Sequence, residues 1–203
     1  MKILSLKLKS KKDANVFVAS TDIGEYDLFS EIIVKYSLGN GEIDDETFKK
    51  TVKESMEKIA FNVAVKYASS KLKTEKQIRD YLYKKEFKKA TILPVIEKLK
   101  EYGVIDDKIY MESYIKSNPN FSKNKLKQKL IMSGISKDLI DEKLNDLEDE
   151  DSCLTNANKF LKNKIMDQKT REKLIRRLTY LGYSWDSINS VLKTLNFDEE
   201  NFD

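Results

Sequence analysis

Apolar residues recur along the chain at a spacing that predicts helices, and one pattern returns at a fixed offset of 48 residues. In the stretch "KLKQKLIMSGISKDLIDEKL", residues 125–144, Leu126 and Leu130 precede a Gly-Ile pair, and Ile140 and Leu144 follow it. Apolar side chains four residues apart lie on one face of a helix, so the stretch predicts two amphipathic helices joined by a turn. The return of the pattern predicts a tandem array rather than one isolated helix-turn-helix.

Seven columns of residues agree at this offset, six of them apolar and one bearing hydroxyl groups. The apolar columns are Ile78, Leu126 and Leu174; Leu82, Leu130 and Leu178; Phe87, Ile135 and Tyr183; Ile92, Ile140 and Ile188; Ile96, Leu144 and Leu192; and Leu99, Leu147 and Leu195. The hydroxyl column is Thr74, Ser122 and Thr170. Each hydroxyl is expected to cap the helix that follows it by accepting a hydrogen bond from a free backbone N–H.

The turn inside each copy is expected to need a left-handed residue. Gly134 and Gly182 stand there in the second and third copies, as is typical of a helix C-terminus. The first copy has Glu86, which must accept the left-handed conformation or use a different turn. A further amphipathic helix is predicted before each pair, which makes each copy a three-helix unit. These helices lie within residues 57–72, 107–121 and 154–166.

The N-terminal region does not follow the repeat. Leu4, Leu6 and Leu8 alternate with polar residues, and a second alternating run follows a polar stretch, which predicts a β-hairpin. A short helix around residues 30–37 and a helix that starts near residues 44–45 are expected after it.

The fold class predicted is therefore mainly α: a tandem array of three three-helix repeats with a small N-terminal extension of a β-hairpin and short helices. The expected divisions are residues 1–56 for the extension, 57–105 and 106–152 for the first two repeats, and 153–203 for the third repeat and the C-terminal tail. One unit of this size buries little core, so adjacent copies are expected to support one another.

Composition narrows the class of function. Of the 203 residues 40% are apolar and 35% charged, and no apolar run reaches the roughly 18 residues of a membrane helix, so a soluble protein without a membrane partner is expected. The single cysteine, Cys153, excludes a disulfide within the chain and favours a cytoplasmic location. There is no histidine and no glycine-rich phosphate loop, and carboxylate pairs such as Asp106-Asp107 stand where helices begin. We expect a non-enzyme with no catalytic residue, cofactor or bound metal.

The net charge of +4 permits a polyanionic partner without requiring one. Nine basic residues on helix faces predicted to be exposed are candidates for contacts with DNA phosphates or an acidic protein surface. They are Arg79, Lys84, Lys85, Lys125, Lys127, Lys129, Arg171, Arg176 and Arg177. The alternative for each is a solvated face with ion pairs four residues apart, such as Glu172 with Arg176.

Five tyrosines are able to stack on bases, although packing between helices is the expected role of most of them. They are Tyr81, Tyr83, Tyr110, Tyr114 and Tyr180.

The order and spacing of the copies resemble the RecX family of regulators of the RecA recombinase. The matching stretches are "TEKQIRDYLYKKEF", "VIEKLKEYGVIDDKIYMESYIKS", "SKNKLKQKLIMSGISKDLIDEKL" and "REKLIRRLTYLGYSWDSINSVL", and "LFSEIIVKYSLGNGEID" resembles the N-terminal extension of members from Gram-positive bacteria. The resemblance implies a monomeric regulator in DNA repair and homologous recombination. It implies binding in the helical groove of the RecA–single-stranded DNA filament, with contacts to DNA made directly or through RecA. Inhibition of the recombinase and of its ATPase activity is the expected effect.

Two other functions stay open at this point. A helical-repeat protein that binds DNA without RecA is the first, since a three-helix unit with a short turn resembles a helix-turn-helix. Against it, the third helix of the middle copy, "KDLIDEKLNDLEDE", is acidic and would repel the major groove. The second is a scaffold with no nucleic-acid role.

Overall fold

The computed structural model describes residues 1–11, 13–145 and 149–197, which form four strands and ten helices. The strands are β1 Lys2–Leu8, β2 Val16–Thr21, β3 Glu25–Phe29 and β4 Gly41–Glu42. The helices are α1 Ser30–Lys35, α2 Asp45–Ala68, α3 Glu75–Lys84, α4 Lys89–Glu101, α5 Asp107–Ser117, α6 Lys123–Met132, α7 Lys137–Leu144, α8 Asp149–Leu161, α9 Gln168–Leu181 and α10 Trp185–Thr194. The chain divides into two units, Met1–Asp106 and Asp107–Asp203. No helix in the described ranges has both the length and the apolar character that a membrane span requires.

The predicted array of three-helix repeats is confirmed. The first repeat consists of the C-terminal part of α2 with α3 and α4, the second of α5 to α7, and the third of α8 to α10. Every member of the first five apolar columns is buried, with at most 9% of the residue exposed. In the sixth column Leu99 is buried and Leu147 lies outside the described residues. Leu195 is only partly buried, because it follows the end of α10 and Phe197 enters the core instead.

The N-terminal extension is more than the predicted hairpin. Strands β1 and β2 pair antiparallel as expected, with an irregularity between Ile3 and Ser5, but the sheet has four strands in the order β3-β2-β1-β4. Strand β3 returns along β2 after a turn in which Thr21 N–H donates to the Gly24 carbonyl at 2.8 Å. Strand β4 has only two residues, too few for an alternating pattern to reveal it.

Helix α2 joins the extension to the first repeat, because it runs through the expected division between residues 56 and 57. It starts where predicted, with Asp44 accepting a hydrogen bond from Thr47 N–H at 2.9 Å, and it contains neither glycine nor proline to end it early. Its N-terminal half packs under the sheet, where Phe48 meets Tyr26 edge to face at 5.1 Å between ring centroids. The extension and the first repeat therefore share one continuous helix.

A second expected division, between residues 152 and 153, falls inside α8. Three acidic residues just before this division, Asp149, Glu150 and Asp151, form the first turn of this helix. Carboxylates are favoured there because the helix dipole places partial positive charge at the N-terminus. Acidic residues thus start the helix rather than separate the repeats.

Two of the three predicted hydroxyl caps are confirmed. Thr74 accepts from Gln77 N–H at 3.1 Å and Ser122 accepts from Lys125 N–H at 3.2 Å. The prediction for Thr170 is wrong, because α9 begins earlier, and Asp167 accepts from Thr170 N–H at 2.7 Å. This hydrogen-bonded contact with Thr170 also lowers the pKa of the Asp167 carboxyl.

The turn between the second and third helices has the same geometry in all three repeats. Glu86, Gly134 and Gly182 have φ of 65°, 94° and 91°. In each repeat the next residue donates its N–H to a leucine carbonyl five residues back: Phe87 to Leu82, Ile135 to Leu130 and Tyr183 to Leu178, at 3.1 to 3.2 Å. This pair of features is a Schellman motif. Glu86 therefore accepts the left-handed conformation rather than using a different turn.

The second and third repeats pack closely where α6 begins. Ser122 N–H donates to the Leu181 carbonyl at 3.0 Å, and the Ser122 hydroxyl donates to the Gly182 carbonyl at 2.6 Å. The Tyr183 hydroxyl donates to the Asn120 carbonyl at 3.3 Å and accepts from the Asn156 amide at 2.9 Å. The turn of the third repeat is thus bonded directly to the cap of the second.

We predict that Gly182→Ala destabilises the protein by about 3 kcal/mol, since it adds overpacking to left-handed strain. A Cβ at Gly182 would lie 2.6 Å from Lys125 Cβ and 2.8 Å from Ser122 Oγ. Gly103→Ala is the control, because Gly103 also has positive φ but no atom lies within 4 Å of its Cβ position; it should cost only about 1 kcal/mol. Urea denaturation followed by far-ultraviolet circular dichroism measures both. Equal losses would contradict the close contact.

We predict that Glu86→Gly stabilises the first repeat by about 1 kcal/mol, because glycine removes the cost of a left-handed side chain. Glu86 is exposed and has φ of 65°. Glu86→Ala is the control, since alanine loses the carboxylate and keeps the strain. Thermal unfolding should rank Gly above Glu and Ala; a Gly variant no more stable than the Ala variant would count against strain at this turn.

Candidate basic surfaces

Within the repeats, positive charge is concentrated in one segment of each. Residues 66–89, from the end of α2 to the start of α4, contain nine Lys or Arg and three Asp or Glu. Residues 159–177, from the end of α8 into α9, contain eight Lys or Arg and two Asp or Glu. Residues 116–137, from the end of α5 to the start of α7, contain six Lys and no Asp or Glu. Each of the three segments has a net charge of +6, enough to attract a polyanion.

In the first repeat the structure separates Arg79 from the two candidate lysines. The Arg79 guanidinium forms an ion pair with Glu75 on its own helix, and Glu75 also binds Lys100 at 2.7 Å. Lys84 and Lys85 are exposed, and neither has an ion pair within the described residues. Arg79 therefore holds α3 to α4, whereas Lys84 and Lys85 are available to a partner.

Lys84 and Lys85 border a hollow of about 590 Å³ that sequence reasoning did not find. Its other lining residues are Tyr67, Gln77, Asp80 and Tyr81. The Tyr67 ring, from α2, stacks on Tyr81 of α3 with 3.9 Å between centroids and 12° between planes. One feature of the sequence could have indicated this hollow. Tyr67, an aromatic residue at the end of α2, is followed directly by a segment rich in lysine, so a ring was to be expected near several cations.

The three candidate lysines of the second repeat do not form one surface. Lys127 pairs with Asp141 at 2.5 Å. The Lys125 ammonium donates to the Tyr180 carbonyl and lies 3.9 Å and 4.4 Å from the ring centroids of Tyr180 and Phe121. Lys129 is exposed and has no ion pair within the described residues. Residues two apart lie on nearly opposite sides of a helix, so Lys127 lies on a different side of α6 from Lys125 and Lys129.

In the third repeat Arg171 has a structural role. Its Nε donates to the Phe197 carbonyl at 3.0 Å, which ties the start of α9 to the residues after α10. Arg176 is exposed and lies 3.7 Å from Glu172, as the alternative interpretation of the basic residues expected. Arg177 is exposed and lies 5.8 Å from the centroid of the Phe160 ring.

The first unit also contains a larger cleft, of about 990 Å³, between α1, α2 and α4. Six charged residues line it: Glu31, Lys35, Glu54, Glu57, Lys58 and Lys98. They form three ion pairs, Lys35 with Glu54, Lys58 with Glu31 and Lys98 with Glu57, at 2.7, 2.8 and 3.8 Å. The hydrogen bond from Lys35 holds the pKa of Glu54 below its usual value. The six charges cancel, so the cleft has no excess charge with which to select a ligand.

Cys153 is buried in the third repeat. Burial, with a smaller contribution from Asp149, raises the pKa of its thiol to about 11. A thiol with such a pKa stays protonated near neutral pH, so Cys153 packs as an apolar residue in the core.

Comparison with known proteins settles the family. The regulatory protein RecX of Clostridium perfringens strain SM101 is 33% identical over 207 residues, which cover 98% of each chain. The chain belongs to the RecX family. The regulatory protein RecX of Clostridium acetobutylicum is 32% identical over 210 residues, again with 98% of each chain covered. A family model described as RecX, first three-helix domain, matches residues 60–99.

Solved RecX structures share the fold. A crystal structure of a regulatory protein RecX matches with a TM-score of 0.62 and 19% identity, covering 95% of this chain and 98% of its own. That of RecX from Lactobacillus salivarius matches with a TM-score of 0.55 and 24% identity, covering 70% of this chain and 98% of its own. RecX proteins are regulatory proteins rather than a family of enzymes, and this chain has a regulatory role of that kind.

We predict that Lys125→Ala lowers the free energy of unfolding by about 1–2 kcal/mol, because it removes a cation that lies against two rings together with a half-buried aliphatic stem. Lys129→Ala is the matched control, four residues further along the same helix and exposed; it should change stability by less than about 0.5 kcal/mol. Urea denaturation of the two variants measures the difference. If Lys125 instead served to bind a partner, Lys125→Ala would leave stability unchanged and weaken partner binding.

Proposed function

We propose that this protein binds the RecA–single-stranded DNA filament and inhibits the RecA recombinase and its ATPase activity. The observation that supports this best is similarity to RecX regulatory proteins along 98% of the chain, which includes the extension and all three repeats. A regulator of a filament can make contacts at several points, and a tandem array offers one exposed face per repeat for them.

The distribution of charge supports a partner that carries DNA. Basic segments occur in all three repeats, at residues 66–89, 116–137 and 159–177. Exposed cations bind a phosphate backbone without reading its sequence, which suits a filament that forms on any single strand. The exposed candidates are Lys84, Lys85, Lys129 and Arg177, which have no ion pair within the described residues, and Arg176, which lies 3.7 Å from Glu172.

The third helices of the second and third repeats do not support reading of duplex DNA. Helix α7 contains Asp138, Asp141 and Glu142, and Asp141 already neutralises Lys127. Helix α10 has one acidic and one basic residue, Asp186 and Lys193. A helix that reads the major groove is helped by several cations near its N-terminus; α10 has none there, and α7 has only Lys137, which is followed by Asp138.

We predict that the protein reduces ATP hydrolysis by RecA on single-stranded DNA, and that Arg176→Glu/Arg177→Glu raises the half-inhibitory concentration about tenfold, a loss of about 1.4 kcal/mol of binding. The matched control is Lys49→Glu/Lys50→Glu, because Lys49 and Lys50 are adjacent and exposed on α2 and the charge change is the same. The measurement is steady-state RecA ATP hydrolysis over a range of inhibitor concentrations.

Unchanged ATP hydrolysis at a molar excess of the protein would contradict the proposal. A separate titration of labelled duplex DNA against salt tests a DNA-binding protein that acts without RecA. Tight, sequence-selective binding in that titration would favour this second function over the proposed one.

A further inference from the structure

The hollow in the first repeat brings flat rings and cations together. Tyr67 and Tyr81 stack on each other, so each ring keeps one face for other contacts. The Lys73 ammonium lies 4.5 Å from the centroid of Tyr67, and the Lys85 ammonium lies 5.8 Å from that of Tyr81. Tyr81 and Lys85 both line the hollow. Because Tyr67 covers one face of Tyr81, a ligand ring that stacks on Tyr81 must use the other face, beside the Lys85 ammonium.

The charges around the hollow favour an anionic ligand. Lys73, Lys84 and Lys85 have no ion pair with a carboxylate in the described part of the chain. The one acidic group in the lining is Asp80, whose carboxylate can accept hydrogen bonds but donates none. An anion therefore meets the ammonium groups, and a group that donates hydrogen bonds meets Asp80.

We propose that this hollow is a binding site for single-stranded DNA, in which one base stacks on Tyr81 and the neighbouring phosphates bind Lys84 and Lys85. The inference deepens the proposed function and rests on it for its biological setting, but the binding step itself requires no RecA. Tyr67 acts as a positioning residue, because it supports the Tyr81 ring from behind. Asp80 accepts a hydrogen bond from the exocyclic amino group of a base that carries one.

The geometry favours a single strand over a duplex. In a duplex the faces of each base are covered by the neighbouring base pairs, so a protein ring has no face to stack on. In a single strand a base can give up its stacking on a neighbouring base and stack on a protein ring instead. A hollow of about 590 Å³ lies within the range of pockets that hold small ligands, which is large enough for one base with its sugar.

The third repeat has a related arrangement, whereas the second repeat has Lys116 at the place of the first ring. Phe160 is the next-to-last residue of α8, and Tyr67 is the next-to-last residue of α2. Arg177, which lies against Phe160, occupies the position in α9 that corresponds to Tyr81 in α3. The Lys164 ammonium lies 3.1 Å from the Phe160 centroid, as Lys73 lies over Tyr67. In the first and third repeats a ring at the end of the first helix meets the second helix beside cations.

The test compares two labelled probes without RecA: a short fluorescein-labelled oligothymidylate and an abasic strand with the same number of phosphates. Fluorescence anisotropy gives the dissociation constants. Tyr81→Leu should weaken binding to oligothymidylate about tenfold and leave binding to the abasic strand unchanged, because only stacking is lost. Tyr81→Phe, which keeps the ring, should bind both probes as the native chain does.

The two lysines should act on both probes. Lys84→Ala/Lys85→Ala should weaken binding to each probe and reduce the slope of log K against log salt by about 1.4, since each phosphate contact on a single strand contributes about 0.7. Tyr83→Leu, on the same helix but outside the hollow, and Lys49→Ala/Lys50→Ala are the controls and should bind like the native chain. Circular dichroism verifies that every variant is folded.

Three results would overturn the inference. They are no binding of oligothymidylate by the native chain, binding by Tyr81→Leu as tight as that of the native chain, or a loss of affinity in Tyr83→Leu as large as that in Tyr81→Leu. If native binding is absent while RecA ATP hydrolysis is still reduced, the site is wrong and the proposed function stands. If the site behaves as expected and RecA is unaffected, the proposed function is the part that fails.

Discussion

One backbone constraint shapes every repeat: the left-handed residue that ends its second helix. At Glu86, Gly134 and Gly182 the positive φ reverses the chain, so that the next N–H returns to the carbonyl of a buried leucine. The same rotation places the next side chain, Phe87 in the first repeat, in the core and starts the third helix with its apolar face inward. The apolar columns can meet only because this turn has one geometry, which is why the first repeat keeps it even with a glutamate.

The apolar columns could be predicted from sequence because burial imposes a helical period on the residues of each stripe. Local signals were less reliable where two of them compete. Asp167 and Thr170 are both good N-caps three residues apart, and the earlier one wins, so α9 gains a turn that the repeat offset did not predict. Strand β4 was not predicted for another reason. It has only two residues, and its pairing with β1 joins Gly41 to Ile3, which are far apart in sequence.

Candidate binding residues were harder to predict than the fold, since sequence shows which side chains are charged but not what they reach. Lys125 donates to the Tyr180 carbonyl in α9, and Arg171 donates to the Phe197 carbonyl after the end of α10. Both contacts join residues far apart in sequence, so no local pattern predicts them. Both residues are thereby removed from the set of free cations. Ion pairs four residues apart are local, and the one from Glu172 to Arg176 could be predicted. The stacking of Tyr67 on Tyr81 joins two helices, so only the structure reveals it.

The positions of a repeat fall into two sets: inward positions, which form the buried apolar columns, and outward positions, which lie outside those columns. The inward columns have apolar side chains in all three copies, because the shared turn and core require them. The outward position on the second helix has Tyr81, Lys129 and Arg177, which are a ring, a free ammonium and a guanidinium beside a ring. Since these side chains add little to the core, each copy can differ there without loss of the fold. A tandem array thus separates two sets of positions: the inward columns keep each copy folded, and the outward positions can differ from copy to copy.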